Sequence, residues 1–263
     1  MSGIPRQPER NRVKAHAVVK PAAAKRLIAK GVAALPIVEH ALREGTIVVT
    51  LGTTNAYVVE ELTGEPIDHG AFAAGVIDGL WNLNERIGEA RDIILKRGKQ
   101  VSPDPENLLA SLAAGDVVVK GGNALDPFGT VGVLLGAPNG GTVARYVPTA
   151  LARGVDIVIP ISVAKSVHAP IGDLAVDLGS GRMSLGDGLP CGMFPLSGHP
   201  VTEIEALDLL FSVRAVHVAS GGVGPGEGSV SLVLDGEDAA VESAYALLTE
   251  LADEPEPTIR GRS

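Results

Sequence analysis

Three apolar, β-branched runs constrain this chain most, because each passes directly into a loop of small or polar residues. Thr46-Ile-Val-Val-Thr-Leu51 leads into Gly52-Thr-Thr-Asn55, and Asp116-Val-Val-Val119 leads into Lys120-Gly-Gly-Asn123. Val155-Asp-Ile-Val-Ile159 leads into a segment holding Ser162 and Lys165. The first run lacks any polar alternation, as expected for a central parallel strand covered on both faces, and the others read as further buried strands. Helical patterns precede and separate them: residues 22–30 and 37–43 come before the first run, 56–62 ending at Gly64 follows it, and a helix from Gly140-Gly141-Thr142 to Arg153 precedes the third. Pro148 falls inside the last, which predicts a kink or two short pieces. Strands alternating with helices predict an α/β fold with a Rossmann-like open, mainly parallel sheet.

From about Leu189 the pattern changes to a strand near Met193, a helix over 202–211, strands over 214–219 and 229–234, and a helix over 237–251. That order, βαββα, predicts a small α+β unit. The chain thus divides into a flexible basic tail (1–20), an α/β domain (21–188), a small lid-like domain (189–254) and a disordered tail (255–263). Residues 76–79 and 92–95 read as short strands on either side of Trp81.

Composition excludes several classes of function. With 45% hydrophobic residues the chain can bury a core, while a net charge of −9 opposes attraction to a nucleic-acid backbone. Aromatics at 3% oppose recognition by stacking on bases or flat cofactors. The longest uncharged stretch, 127–144, is broken by five glycines and two prolines, so it does not predict a membrane span. The polar, basic N-terminus carries no apolar signal core, and the expected location is the cytoplasm. Cys191 is the single cysteine, which excludes an internal disulfide and a thiolate zinc cage; we read it as an inert thiol. The six histidines show no H-x-x-x-H or H-E-x-x-H spacing, and no metal is expected. No G-x-S-x-G elbow supports a serine hydrolase.

The loops after the strands carry the chemistry. Gly52, Thr53, Thr54 and Asn55 open a helix, where free N–H groups and the dipole favour an anion and the three polar side chains offer donors. Ordinary capping of that helix by Thr53 or Thr54 explains the same residues without a ligand. Lys120, Gly121, Gly122 and Asn123 hold the equivalent place after the second run, with Asp126 nearby as a base or as a partner for the lysine. Gly140, Gly141 and Thr142 form a third backbone cradle, and Ser162 with Lys165 follows the third run. Convergence of four polar loops on one sheet edge predicts a shared pocket.

In order, these segments resemble the ribose-5-phosphate isomerase branch of the superfamily that includes glucosamine-6-phosphate deaminase and CoA transferases. Thr50-Leu-Gly-Thr-Thr-Asn-Ala56 is similar to its phosphate loop, and Val119-Lys-Gly-Gly-Asn-Ala-Leu125 to its catalytic lysine loop. Ser162-Val-Ala-Lys-Ser-Val167 and Leu189-Pro-Cys-Gly-Met-Phe-Pro195 match two later motifs, the second of which opens the family's α+β lid. Gly121 to Gly129 also resembles the methylthioribose-1-phosphate isomerase and initiation-factor exchange-subunit branch, with Asn123 replacing its acid/base aspartate. The family's catalytic glutamate has no counterpart in Ala124-Leu-Asp-Pro-Phe-Gly129, and Asp78-Gly79 alone echoes a second acidic motif.

The resemblance implies an enzyme acting on a small phosphorylated sugar or related anionic metabolite by aldose–ketose proton transfer. Residues 52–55 would hold the anion, Lys120 would stabilise an enediolate, and Asp126 or Asp78 would act as base. No cofactor is required, and the expected partners are a small anionic metabolite and further copies of the chain. A non-catalytic metabolite-binding regulator of the same fold is the alternative. A CoA transferase, whose nucleophilic glutamate has no assignable counterpart, stands third.

Overall fold

A computed structural model describes residues 12–102 and 104–258. The described chain begins with a strand, β1 (Arg12–Val19), and two helices, α1 (Pro21–Ala33) and α2 (Pro36–Glu44). Pro21 and Pro36 stand in the first turn, where a missing N–H leaves no bond unmade. Next come β2 (Thr46–Val49), α3 (Thr53–Thr63), the short α4 (His69–Phe72) and the hairpin β3 (Gly75–Asp78) and β4 (Leu80–Leu83). A second hairpin, β5 (Ile93–Lys96) and β6 (Lys99–Val101), precedes α5 (Pro105–Ser111). The middle of the chain holds β7 (Val117–Val119), β8 (Ala124–Leu125), β9 (Val131–Leu135), α6 (Gly141–Arg153) and β10 (Asp156–Pro160). The rest is α7 (Ile171–Asp177), β11 (Gly192–Leu196), β12 (His199–Val201), α8 (Glu203–Phe211), β13 (Arg214–Gly221), β14 (Ser229–Glu237) and α9 (Asp238–Glu250).

The fold is mixed α/β around a six-stranded sheet of order β12-β10-β7-β2-β5-β6. The first three pairings are parallel and the last two antiparallel, so the sheet is mixed rather than mainly parallel. The second hairpin supplies both antiparallel pairings. Arg97 and Gly98, at φ 49° and 73°, close a two-residue turn of the kind that joins β5 to β6 antiparallel, and β5 also pairs antiparallel with β2.

The β-branched runs do pack on both faces. Val48, Val118, Ile157 and Ile159 enter one core, with Val143, Tyr146, Val147 and Ala150 of α6. Their neighbours Ile47, Val49, Val117, Val119 and Val158 enter the other core, with α1, α2 and α3. Each such side chain contributes about 1.5–3 kcal/mol of transfer free energy, which holds the loops after β2 and β7 on a rigid edge.

Pro148 neither kinks nor splits α6, which runs unbroken from Gly141 to Arg153. Pro148 and Ala144 both face solvent, so water can take the carbonyl that loses its i+4 donor.

The expected small unit is rearranged. Its three-stranded antiparallel sheet has the order β1-β14-β13, with α8 packed on β13 and α9 on β1 and β14. Residues 12–19, expected within a flexible tail, supply the strand in full eight-residue register, while residues 1–11 lie outside the described residues. The strand around Met193 pairs instead with β9 in a separate sheet of order β11-β9-β8. The start of the C-terminal tail is docked: Tyr57 Oη donates to Pro255 O at 3.2 Å and the Ala22 amide donates to Glu256 Oε1 at 3.2 Å. Arg26, which also grips Glu60 and Glu61, holds Glu254 at 2.8 Å. Residues 259–263 lie outside the described residues.

Candidate functional site

The carboxyl ends of β2 and β7 open into a cavity of about 430 Å3. Gly52, Thr53, Thr54 and Asn55 line it from the start of α3, and Lys120, Gly121, Gly122 and Asn123 from the end of β7. Gly140, Gly141 and Thr142 line it from the start of α6, and Lys165 from the turn after β10. The β3–β4 hairpin closes another side with Trp81 and Leu83. Trp81, the chain's single tryptophan, lies so close to Gly136 that a Cβ there would fall 2.3 Å from the ring.

Two helices point their starts at this space with no acidic residue in either first turn; their N-cap residues, Gly52 and Gly140, offer no side chain, although the Gly141 amide of α6 donates to Asn139 Oδ1 at 3.1 Å. Gly140 and Gly141 take φ 78° and 56° in succession, a conformation glycine adopts without a Cβ clash, and so turn the chain into α6. Gly122 is required by close packing, since a Cβ would fall 2.2 Å from Val131 Cγ1.

Asn55 is fully buried. Its Nδ2 donates to Thr50 O at 2.8 Å and to Val119 O at 3.5 Å, and these carbonyls fix the amide orientation. The side chain expected to supply a donor therefore presents an acceptor: Oδ1 is buried without a partner, 3.5 Å from where a Cβ on Gly121 would stand. An orphan acceptor of this kind calls for a ligand hydroxyl or amine.

Lys120 Nζ is buried and donates to Gly121 O at 3.0 Å, while Lys165 Nζ donates to Gly122 O at 2.8 Å. Among the described residues neither ammonium has a carboxylate within 4.0 Å. Burial, and for Lys120 the neighbouring charge of Lys165, lowers both from the ordinary lysine range to about 8.

Two expected site residues stand elsewhere. Asp126 does not line the cavity; its Oδ1 accepts from the Phe128 and Thr130 amides and its Oδ2 from the Ile171 amide. Burial pushes its carboxyl up, but the three amides outweigh that and hold it below the usual range, so it pins a turn and is no base. Ser162 turns away from the cavity to donate to Glu203 Oε1, and its oxygen caps the turn that carries Lys165. Asp78 ends β3, and its side chain lies outside the described residues.

Asp126→Ala strands three amides, the Ile171 amide buried and the other two partly so, and is expected to cost about 2–4 kcal/mol in urea unfolding, with little change in ligand affinity. Because its pKa is depressed in the fold, its contribution is present above the unfolded value, about 3.9, and is lost as pH falls through the folded one. The variant should therefore lose part of the wild-type decline in stability on acidification.

Sequence reasoning missed Asp92, Arg145 and Tyr146. Asp92 is buried at the cavity wall, where Oδ1 accepts from the Leu51 amide at 3.0 Å and Oδ2 from Tyr146 Oη at 2.8 Å and Arg145 at 3.0 Å. Burial, then Asp92, pushes the Tyr146 hydroxyl up to about 12, which keeps it a donor. The available signal was weak: an aspartate just ahead of Ile-Ile-Leu, and an Arg-Tyr pair one turn beyond the Gly-Gly-Thr loop.

Cys191 is half-buried and burial pushes its thiol up, away from thiolate chemistry. Among the described residues no helix is long and apolar enough to cross a membrane. No family model, curated protein or solved structure matches the chain.

Proposed function

We propose that this protein is an enzyme that moves a proton on a small phosphorylated sugar or similar anionic metabolite, held at the edge of a Rossmann-like sheet. One observation carries the reading: two helix starts with no acidic residue in the first turn, and two lysines without carboxylate partners, one of them buried, face a single cavity, an arrangement suited to a polyanionic group. The orphan acceptor of Asn55 adds a place for a hydroxyl. A phosphate at the helix starts would set the carbonyl end against Lys120. Asp92 then replaces Asp126 and Asp78 as the proposed base, being the carboxylate that lines the cavity among the described residues.

The alternative, a metabolite sensor without turnover, draws support from Asp92 itself. Three donors occupy most of its lone-pair directions, which suits a structural carboxylate as well as a base. Incubation with a panel of sugar phosphates in deuterated water separates the two. Deuterium at C1 or C2 is the expected result, and binding without exchange for every ligand would leave the sensor. Asp92→Asn should lower exchange by about 100-fold or more, while affinity by calorimetry changes only a few fold.

A further inference from the structure

A buried lysine without a carboxylate partner has two chemical uses: a fixed cation or a nucleophilic amine. The cavity holds Lys120, which is buried, and Lys165, which is half-buried, and their positions differ. Lys165 reaches in from the turn after β10, whereas Lys120 directly follows the central strand β7. Two glycines follow Lys120, and both line the same cavity. Gly121 touches both Lys120 Nζ, through its carbonyl, and the region of Asn55 Oδ1, so the amine and the orphan acceptor flank one residue.

We propose that Lys120 forms an imine with the carbonyl carbon of a phosphorylated α-hydroxy aldehyde or ketone, whose adjacent hydroxyl donates to Asn55 Oδ1. The proposal deepens the proposed function and rests on it: Lys165 and the two helix starts keep the anion, and Lys120 engages the carbonyl. The nitrogen lone pair attacks the carbonyl carbon, the C=O π pair moves to oxygen, and that oxygen takes a proton lost by nitrogen. The carbinolamine then expels its hydroxyl with the second nitrogen proton as water, leaving a C=N bond that water later hydrolyses. Protonated, this imine draws electrons from the adjacent C–H bond more strongly than the carbonyl does, which assists removal of that proton by Asp92. A lysine held near pH 8 by burial and a second ammonium has the free-amine fraction this step needs.

The test is reductive trapping. Native protein is mixed with D-glyceraldehyde 3-phosphate, which carries all three groups, and sodium cyanoborohydride, and labelled peptides are quantified by mass spectrometry. Label on Lys120 is expected to form about tenfold faster than on the exposed Lys99, because its larger free-amine fraction outweighs its lower basicity. Inorganic phosphate should suppress it, and Lys120→Arg should abolish it without transfer to Lys165. Equal labelling of Lys120 and Lys99, preference for Lys165, or labelling that phosphate does not suppress overturns the proposal. A thermal shift with inorganic phosphate distinguishes the two readings. A shift without Lys120 label leaves the anion site standing and removes the imine, whereas no shift and no label removes both. Mapping on the native protein decides the matter even where Lys120→Arg fails to fold.

Discussion

Lys120→Ala is expected to cut solvent exchange into any sugar phosphate the cavity accepts by about 10³-fold or more. In the proposed reaction the buried amine stands where charge develops at the carbonyl, and deletion of one such group elsewhere costs about 10²–10³. Ligand affinity should fall much less, because Lys165 and the starts of α3 and α6 still hold the anion. The readout is therefore a split between rate and affinity, and full exchange in the variant would remove Lys120 from the mechanism. Stability moves in the opposite direction. With its pKa lowered to about 8, Lys120 binds its proton less readily in the fold than in the unfolded chain, where the value is about 10.4. Wild-type stability should consequently rise as pH increases from about 8 to 10.4, and the variant should lose Lys120's share of that rise while Lys165 keeps its own.

Gly31→Leu is expected to cost about 4 kcal/mol or more in urea unfolding. Gly31 is where α1 and α8 meet backbone to backbone: a Cβ would lie 2.6 Å from Ala206 Cβ and 2.7 Å from Ala206 Cα. No side chain can swing aside to make room, so the helices must separate, and with them the seam between the main sheet and the small one. The better helix propensity of leucine returns only about 1 kcal/mol. Gly172→Ala in α7 is the control, since a Cβ there meets nothing within 4 Å, and it should leave stability unchanged or raised by up to about 1 kcal/mol. A Gly31→Leu protein within about 1 kcal/mol of wild type would show that the contact yields.

The parts of the fold legible in sequence were those where a side-chain pattern reflects burial on both faces. β2, β7 and β10 read correctly as strands because Ile47 to Val49, Val117 to Val119 and Ile157 to Ile159 leave water entirely or nearly so. Their loops could then be placed on one edge by topology alone. β1 was misread because Arg12, Lys14 and His16 suggested a solvated tail, although charge alternating with Val13, Ala15 and Ala17 is also the pattern of an edge strand with one wet face. Asp92 was missed for a related reason. In a parallel sheet the residue before a strand lies at the edge opposite the ligand, but β5 runs antiparallel to β2, pairing Val49 with Ile93 and carrying Asp92 to the cavity side. The antiparallel direction of β5 against β2 thus decides which carboxylate reaches the site. Asp126 illustrates the converse: its spacing from Lys120 suited a base, while its three amide partners could not be counted from spacing.

The pairing of β1 with β14 also sets a timetable for synthesis. Arg12 and Asp235, bonded across that sheet, are 223 positions apart, so the first described strand leaves the ribosome long before its partner exists. At about 5–20 residues per second the wait is on the order of 10–45 s. During that time the apolar side of β1, including Ala17 and Val19, has no native neighbour on β14 to cover it. Five strands of the main sheet, all but β12, lie within residues 46–160 and can assemble meanwhile, which makes the late closure of β1 on β14 the step most exposed to chaperones and to mispairing with another nascent chain.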